Sequence, residues 1–132
     1  MSDFTVRRID AMEGYYLGAM KRARAELGVT SFGIQVLDLP PNLEAYPEHD
    51  HAESGQEEVF VTLRGSGEIE LDGERVPLDP ETMIRVGPGV RRKLWPGAEG
   101  MRVLALGGVP GAAYELVPVT ELGAPDPMAR RP

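Results

Sequence analysis

The sequence has no cysteine, and its 132 residues include only two histidines. Without cysteine, disulfides and thiolate metal sites are excluded. No apolar run approaches the ~18 residues of a membrane helix. The N-terminus, Met1-Ser2-Asp3-Phe4, has neither the basic region nor the apolar segment of a signal peptide. We therefore expect a cytoplasmic protein with no membrane partner.

Positive charge is also scarce. The chain has 14 lysines and arginines against 21 aspartates and glutamates, which gives a net charge of −7. The basic residues form only short clusters near acidic ones, such as Arg91-Arg92-Lys93. Attraction to phosphate needs a basic footprint, so DNA and RNA are not expected partners.

Glycine and proline are frequent, with 16 and 12 residues spread along the chain. Turn residues at such intervals predict eight or more short strands in a β-sandwich or small barrel. We assign the barrel to residues 30–123, an N-terminal extension to residues 1–29 and a flexible tail to residues 124–132. The extension is expected to hold an edge strand at residues 4–9 and a helix at residues 21–27 that ends at Gly28.

Several strands are predicted from residue 31 onward. Residues 57–63 alternate strictly, and Gly65-Ser66-Gly67 is expected to end that strand. Asp72-Gly73 predicts a two-residue hairpin, because both central residues need positive φ. Further strands are expected at residues 31–39, 46–51, 82–86, 91–95, 101–106 and 114–117, with Pro96-Gly97 ending the strand at 91–95.

The two histidines, His49 and His51, are two residues apart, and Glu58 follows at the start of the alternating strand. On a strand this spacing directs both rings to one face. Two imidazoles and a carboxylate suit a divalent first-row metal such as Mn, Fe, Ni, Zn or Cu. The alternation taken alone conflicts with such a site. It would bury Val59, Val61 and Leu63 and leave Glu58 in water.

The stretch from His49 to Gly89 resembles the cupin superfamily in its small conserved-barrel form. Its first motif is a glycine, five residues, His-x-His, three or four residues, a glutamate, six residues and a glycine. His49-Asp50-His51 and the pair Glu58 and Gly65 match it, although Leu43 replaces the leading glycine and the loop before Glu58 holds six residues. In the second motif, Arg92 falls where the family has its last metal-binding histidine.

The resemblance covers residues 30–108 and implies an all-β cupin jelly-roll barrel of two antiparallel sheets, often dimeric, with the site inside. It implies that His49, His51 and Glu58 bind the metal, and it turns Phe60 and Thr62 inward with Glu58. An outward stripe at Val59, Val61 and Leu63 would then need a cover, such as the N-terminal segment or a partner subunit, which is our reason to expect a homodimer.

The resemblance leaves the activity open. With a metal, a small anionic ligand or substrate is expected in the barrel, which would suit an isomerase, a lyase or a dioxygenase. Arg92, Phe60, Gln56 and Glu57 are the expected ligand contacts. Because the loop is long, Gln56 or Glu57 is also a reserve metal ligand.

Two alternatives remain. Without a metal, Arg92 would pair with Glu58 inside a small-ligand binding or sensing barrel. In a third interpretation, the histidines are structural and the protein is an interaction unit. The position of Arg92 separates the first two. Directed at an empty coordination position it favours a metal-dependent reaction, and locked on Glu58 it favours a metal-free binder.

Overall fold

The computed structural model describes residues 2–129, which form one antiparallel sheet of seven strands with order β1-β2-β3-β7-β4-β5, β6 pairing with β4. Its elements are β1 (Gly14–Tyr15), β2 (Met20–Lys21), α1 (Ala23–Leu27), β3 (Gly33–Leu39), β4 (Glu57–Leu71), β5 (Glu74–Leu78), β6 (Met83–Val86) and β7 (Arg92–Gly108). Single 3-10 turns lie at Ile9–Ala11 and Pro118–Thr120.

The two longest strands, β4 and β7, give the sheet its shape. The first half of β4 pairs with β6 and with the end of β7, whereas its second half pairs with β5 and with the start of β7. β3 also lies against the end of β7. The sheet therefore folds into two facing layers, and the predicted all-β jelly-roll barrel is confirmed.

Glycines allow this bend without ending the strands. Gly65 has a φ of 75°, and a Cβ there would lie 2.2 Å from the carbonyl oxygen of Gly100. Register shifts occur between Thr62 and Arg64 and between Gly65 and Gly67. The predicted strand ends at Gly65-Ser66-Gly67 and at Pro96-Gly97 are therefore wrong, because bulges absorb the turn while pairing continues. The Asp72-Gly73 hairpin is confirmed, with φ angles of 49° and 87°.

The core lies between the two layers and fixes the inner face of β4. Phe60 and Thr62 are buried there, whereas Leu63 is exposed. The orientation implied by the cupin resemblance is thus the one observed, and the core predicted from alternation alone is wrong. Buried apolar residues of both layers form this core: Leu37, Leu39, Phe60, Ile69, Leu78, Val86, Leu94, Met101, Val103 and Ala105.

The N-terminal extension is less regular than expected. Residues 4–9 form no strand, since Phe4 and Val6 are exposed and have no partner strand among residues 2–129. The helix is shorter than predicted, because β2 takes Lys21, but Gly28 ends it in the left-handed conformation with a φ of 78°. No helix within residues 2–129 is long and apolar enough to cross a membrane.

The C-terminal segment packs against this extension. Arg22 is buried and donates to Glu13 and to the carbonyl oxygens of Val119 and Ala124. The carboxylate of Asp126 accepts the N–H groups of Tyr16 and Leu17, at 2.9 and 3.0 Å.

The segment was expected to include a strand at residues 114–117 and a flexible tail from residue 124. Residues 114–117 form no strand, since they pair with no other strand among residues 2–129. Ala124 and Asp126 of the predicted tail make the contacts described above, and residues 130–132 lie outside the described part of the chain.

Candidate metal centre

Both histidines lie in a loop, not in the strand predicted at residues 46–51. His49 makes one β-bridge with Arg92, through N–H to carbonyl bonds of 3.0 and 2.8 Å. The N–H of His51 donates to the carbonyl oxygen of Pro88 at 2.8 Å. These three backbone bonds tie the loop to the start of β7 and to the turn that precedes it, and the ring centroids of the two histidines lie 5.1 Å apart.

Glu58 completes the cluster from the inner face of β4. His49, His51 and Glu58 each offer a ligand atom, and these atoms lie within 4.8 Å of one another. Nδ1 of His49 lies 3.0 Å from the carbonyl oxygen of Pro47. Because a carbonyl only accepts, Nδ1 must carry the proton, which leaves the Nε2 lone pair available to a metal.

The side chain of His51 gives the clearest test of fit. Its Nε2 is buried and has no hydrogen-bond partner of acceptable geometry within residues 2–129, although Oε1 of Glu58 is only 3.0 Å away. An unpartnered imidazole nitrogen beside a carboxylate is a donor set that divalent metals use. The orphaned nitrogen therefore fits a divalent ion shared with Glu58.

Arg92 is fully buried at 0 % exposure and reaches Oε1 of Glu58 from Nη1 at 2.6 Å. Its Nη2 donates to the carbonyl oxygens of Gly87 and Val90, at 2.7 and 2.9 Å. Arg92 does not line the cavity. It therefore belongs to an internal ion pair and is not placed to contact a ligand directly. No hydrogen bond from residues 2–129 reaches the other oxygen of Glu58, Oε2.

These neighbouring residues keep Glu58 ionised. Burial opposes the charge, but the adjacent His51 ring and the charged hydrogen bond from Arg92 outweigh it and hold the pKa of Glu58 below its ordinary value of 4.5. The site therefore offers a carboxylate anion with one oxygen held by Arg92 and one open.

The other expected ligand contacts differ in position. Phe60 and Gln56 line the same cavity as the cluster. The expectation for Glu57 is wrong, because strand alternation places it on the face opposite Glu58, where its carboxylate binds Arg85 at 2.7 Å. Glu57 is therefore not a reserve ligand for this cluster.

The cluster opens onto a cavity of about 1750 Å³. Tyr15, Tyr46 and Tyr114, which sequence reasoning did not place at the site, line it. Burial raises the pKa of Tyr15 to about 12, and burial together with the charge of Glu58 raises the pKa of Tyr46. A usable signal was Gly33 within a strand, since glycine there marks the close approach of another group.

The fold and the motif agree with known proteins. Residues 35–107 match the family model described as the cupin domain. No curated protein matches the sequence.

Solved structures give the same architecture. A cupin protein from Bacteroides fragilis has a TM-score of 0.69 at 19% identity, over 89% of this chain and 93% of that one. A sugar phosphate isomerase of the cupin superfamily from Silicibacter pomeroyi has a TM-score of 0.64 at 19% identity, over 77% and 74%. At this identity the structures establish the fold alone, whereas the family match spans more than half of the chain. The chain belongs to the cupin family.

Proposed function

We propose that this cupin binds a divalent metal through His49, His51 and Glu58 and holds a small anionic organic ligand in the adjoining cavity. The observation that carries the proposal is the convergence of three ligand atoms within 4.8 Å, with the buried Nε2 of His51 left without a hydrogen bond. A bound divalent ion would supply Lewis acidity toward ligand oxygen atoms.

The surrounding residues prepare the ligands. Pro47 fixes the tautomer of His49, and the hydrogen bond from Arg92 fixes the side chain of Glu58 while leaving Oε2 open. Hydrogen bonds of this kind orient ligating side chains in metal sites. The Arg92–Glu58 contact is therefore compatible with a bound metal. Pairing of Arg92 with Glu58 and metal binding by Glu58 do not exclude each other.

The anionic part of the ligand would bind at the metal, because the guanidinium of Arg92 is buried away from the cavity. This arrangement suits a reaction at a carbon next to a carboxylate or carbonyl, as in an isomerase, a lyase or a dioxygenase. The neighbour from Silicibacter pomeroyi is named a sugar phosphate isomerase, so the first of these classes is the one to assay first.

A second candidate is a metal-free binding or sensing barrel. The contact of 2.6 Å between Arg92 and Glu58 favours it, since the cation already balances the carboxylate and would repel a metal ion. Here the cavity would bind its ligand without a reaction.

Elemental mass spectrometry on untagged protein never exposed to chelators separates the two candidates. We expect close to one equivalent of Mn, Fe, Ni, Zn or Cu per chain. Protein without metal would then be titrated with each ion by calorimetry. No bound metal and no uptake on titration would reject the first candidate and leave the metal-free barrel.

A further inference from the structure

Two glycines make room for polar side chains beside the candidate metal centre. In the register of the sheet, Gly33 of β3, Gly107 of β7 and Glu58 of β4 form one row. A Cβ at Gly33 would lie 2.8 Å from the hydroxyl oxygen of Tyr114, and a Cβ at Gly107 would lie 2.8 Å from the amide nitrogen of Gln56. Tyr114 and Gln56 thus occupy the space that two side chains would otherwise fill.

The next row of the inner face carries a third polar group. Gln35 of β3, Ala105 of β7 and Phe60 of β4 are paired there. Oε1 of Gln35 is buried and has no hydrogen-bond partner within residues 2–129. Leaving such a group unsatisfied costs about 1–3 kcal/mol. A hydrogen bond from water or from a ligand would remove this cost.

All three side chains line the cavity, and none makes a side-chain hydrogen bond among the described residues. They are also uncharged. Amides and phenols pair well with hydroxyl and carbonyl groups, and a site built to bond a hydroxyl strongly disfavours an analogue that lacks it. A second carboxylate or phosphate would find no cation among Gln35, Gln56 and Tyr114.

We propose that Gln35, Gln56 and Tyr114 recognise the hydroxyl groups of a polyhydroxylated carboxylic acid whose carboxylate lies at the His49–His51–Glu58 cluster. This inference rests on the proposed function and names its ligand class. Neighbouring strands are about 4.8 Å apart, so the row from Glu58 to Gly33 spans about 10 Å. That span suits a chain of several carbon atoms with hydroxyls along it.

The test compares acids that differ only in hydroxyl groups. Gluconate and hexanoate form one six-carbon pair, and tartrate and succinate form a four-carbon pair. Binding to zinc-loaded protein is measured by calorimetry. We expect at least one hydroxylated acid to bind about tenfold or more tightly than its partner, as one or two extra hydrogen bonds would give.

Two variants test the assignment at Tyr114 and Gln35. Tyr114→Phe removes only a hydroxyl, and Gln35→Leu removes the amide at similar volume. Each should reduce the preference to about threefold or less, while zinc affinity stays within about twofold of the original protein. Chelation of zinc by gluconate in solution is the same for all variants, so the comparison between them is unaffected.

The outcomes separate the two proposals. Equal binding of the paired acids, an unchanged preference in both variants, or no binding of any acid below about 10 mM would overturn the hydroxyl assignment. Failure to bind zinc would instead count against the proposed metal function. The same acid pairs would then be titrated into metal-free protein, where the same criteria decide whether the three side chains recognise hydroxyls.

Discussion

Arg92 and Glu58 form a buried ion pair in which Nη1 lies 2.6 Å from Oε1, and the guanidinium also satisfies two backbone carbonyls. Removing one member of such a pair leaves the other charge buried and uncompensated. The pair therefore couples the stability of the barrel to the shape of the candidate metal centre.

Arg92→Met should destabilise the protein by about 3–5 kcal/mol, because Glu58 and the carbonyls of Gly87 and Val90 would lose their partner. Urea unfolding followed by circular dichroism measures this. The adjacent Arg91 is the matched control, since its side chain is 53% exposed and its ion pair with Glu48 is at the surface. Arg91→Met should cost less than about 1 kcal/mol, and equal effects of the two substitutions would contradict the buried pair.

Replacing both histidines by alanine should abolish metal binding and leave a folded protein, because the loop is held by backbone bonds to Arg92 and Pro88 and not by the rings. Metal titration and circular dichroism report the two properties. Asp50→Ala is the control for a change in the same loop, and it should retain metal affinity within about threefold. Unfolding of the double variant would favour structural histidines instead.

Glu58→Gln should destabilise the protein most at neutral pH. The pKa of Glu58 is lowered in the folded state, so its ionised form stabilises the fold above the ordinary value of 4.5, and this contribution is lost as the pH falls through the folded-state pKa. The difference in unfolding free energy between the original protein and Glu58→Gln should therefore shrink between pH 7 and pH values below 4.5.

Glu57→Gln is the matched control for that experiment, because Glu57 lies on the outer face and binds the exposed Arg85. Its free energy of unfolding should stay within about 1 kcal/mol of that of the original protein at every pH. A pH-independent difference for Glu58→Gln would show that the charge of Glu58 does not stabilise the fold.

Gly65→Ala should cost more than about 2 kcal/mol, because the new Cβ would overlap the Gly100 carbonyl and also require an unfavourable positive φ. Gly73→Ala separates these two effects. Its φ is 87°, but no atom lies within 4 Å of the added Cβ. It should cost about 1 kcal/mol, and an equally small cost at Gly65 would contradict the close approach of β4 and β7.

We expect the protein to be a homodimer through the outer face of β4 and β6. Val61 of β4 is paired with Met83 of β6, and Met83 is 71% exposed. Met83→Glu should shift sedimentation from dimer to monomer, because a buried unpaired carboxylate is costly. Leu17→Glu, at an equally exposed apolar residue outside this face, should leave the dimer intact. A monomeric original protein would reject this expectation.

The sequence predicts the fold correctly where the signal is local. Asp72-Gly73 specifies its hairpin through positive φ angles, and Gly28 specifies the end of the helix. The continuation of β4 through Gly65 and of β7 through Pro96 could not be predicted from the sequence. Glycine and proline usually mark turns, but here long-range pairing of β4 with β7 keeps both strands continuous through bulges.

The sequence also predicts part of the candidate site, because the signal for that part is local. The spacing of His49, His51 and Glu58 places them together, although the histidines lie in a loop. The inner face of β4 could not be deduced from alternation, because both faces carry apolar residues and only the packing of the two layers selects one. Tyr114 reaches the site from a distant irregular segment. Gly33 signals that some group approaches its strand, but no pattern around residue 114 identifies Tyr114 as that group.

The hydrogen bonds from Tyr16 and Leu17 to Asp126 join residues about 110 positions apart in sequence. Closing a loop of this length has an entropy cost, and the contact cannot form before Asp126 has been synthesised. Residues 37–105 contain the main core and can pack before this contact exists. During synthesis on the ribosome, the wall of the cavity that includes Tyr15 and Tyr114 would therefore be assembled last, so a growing chain would acquire a barrel before it acquired a ligand chamber.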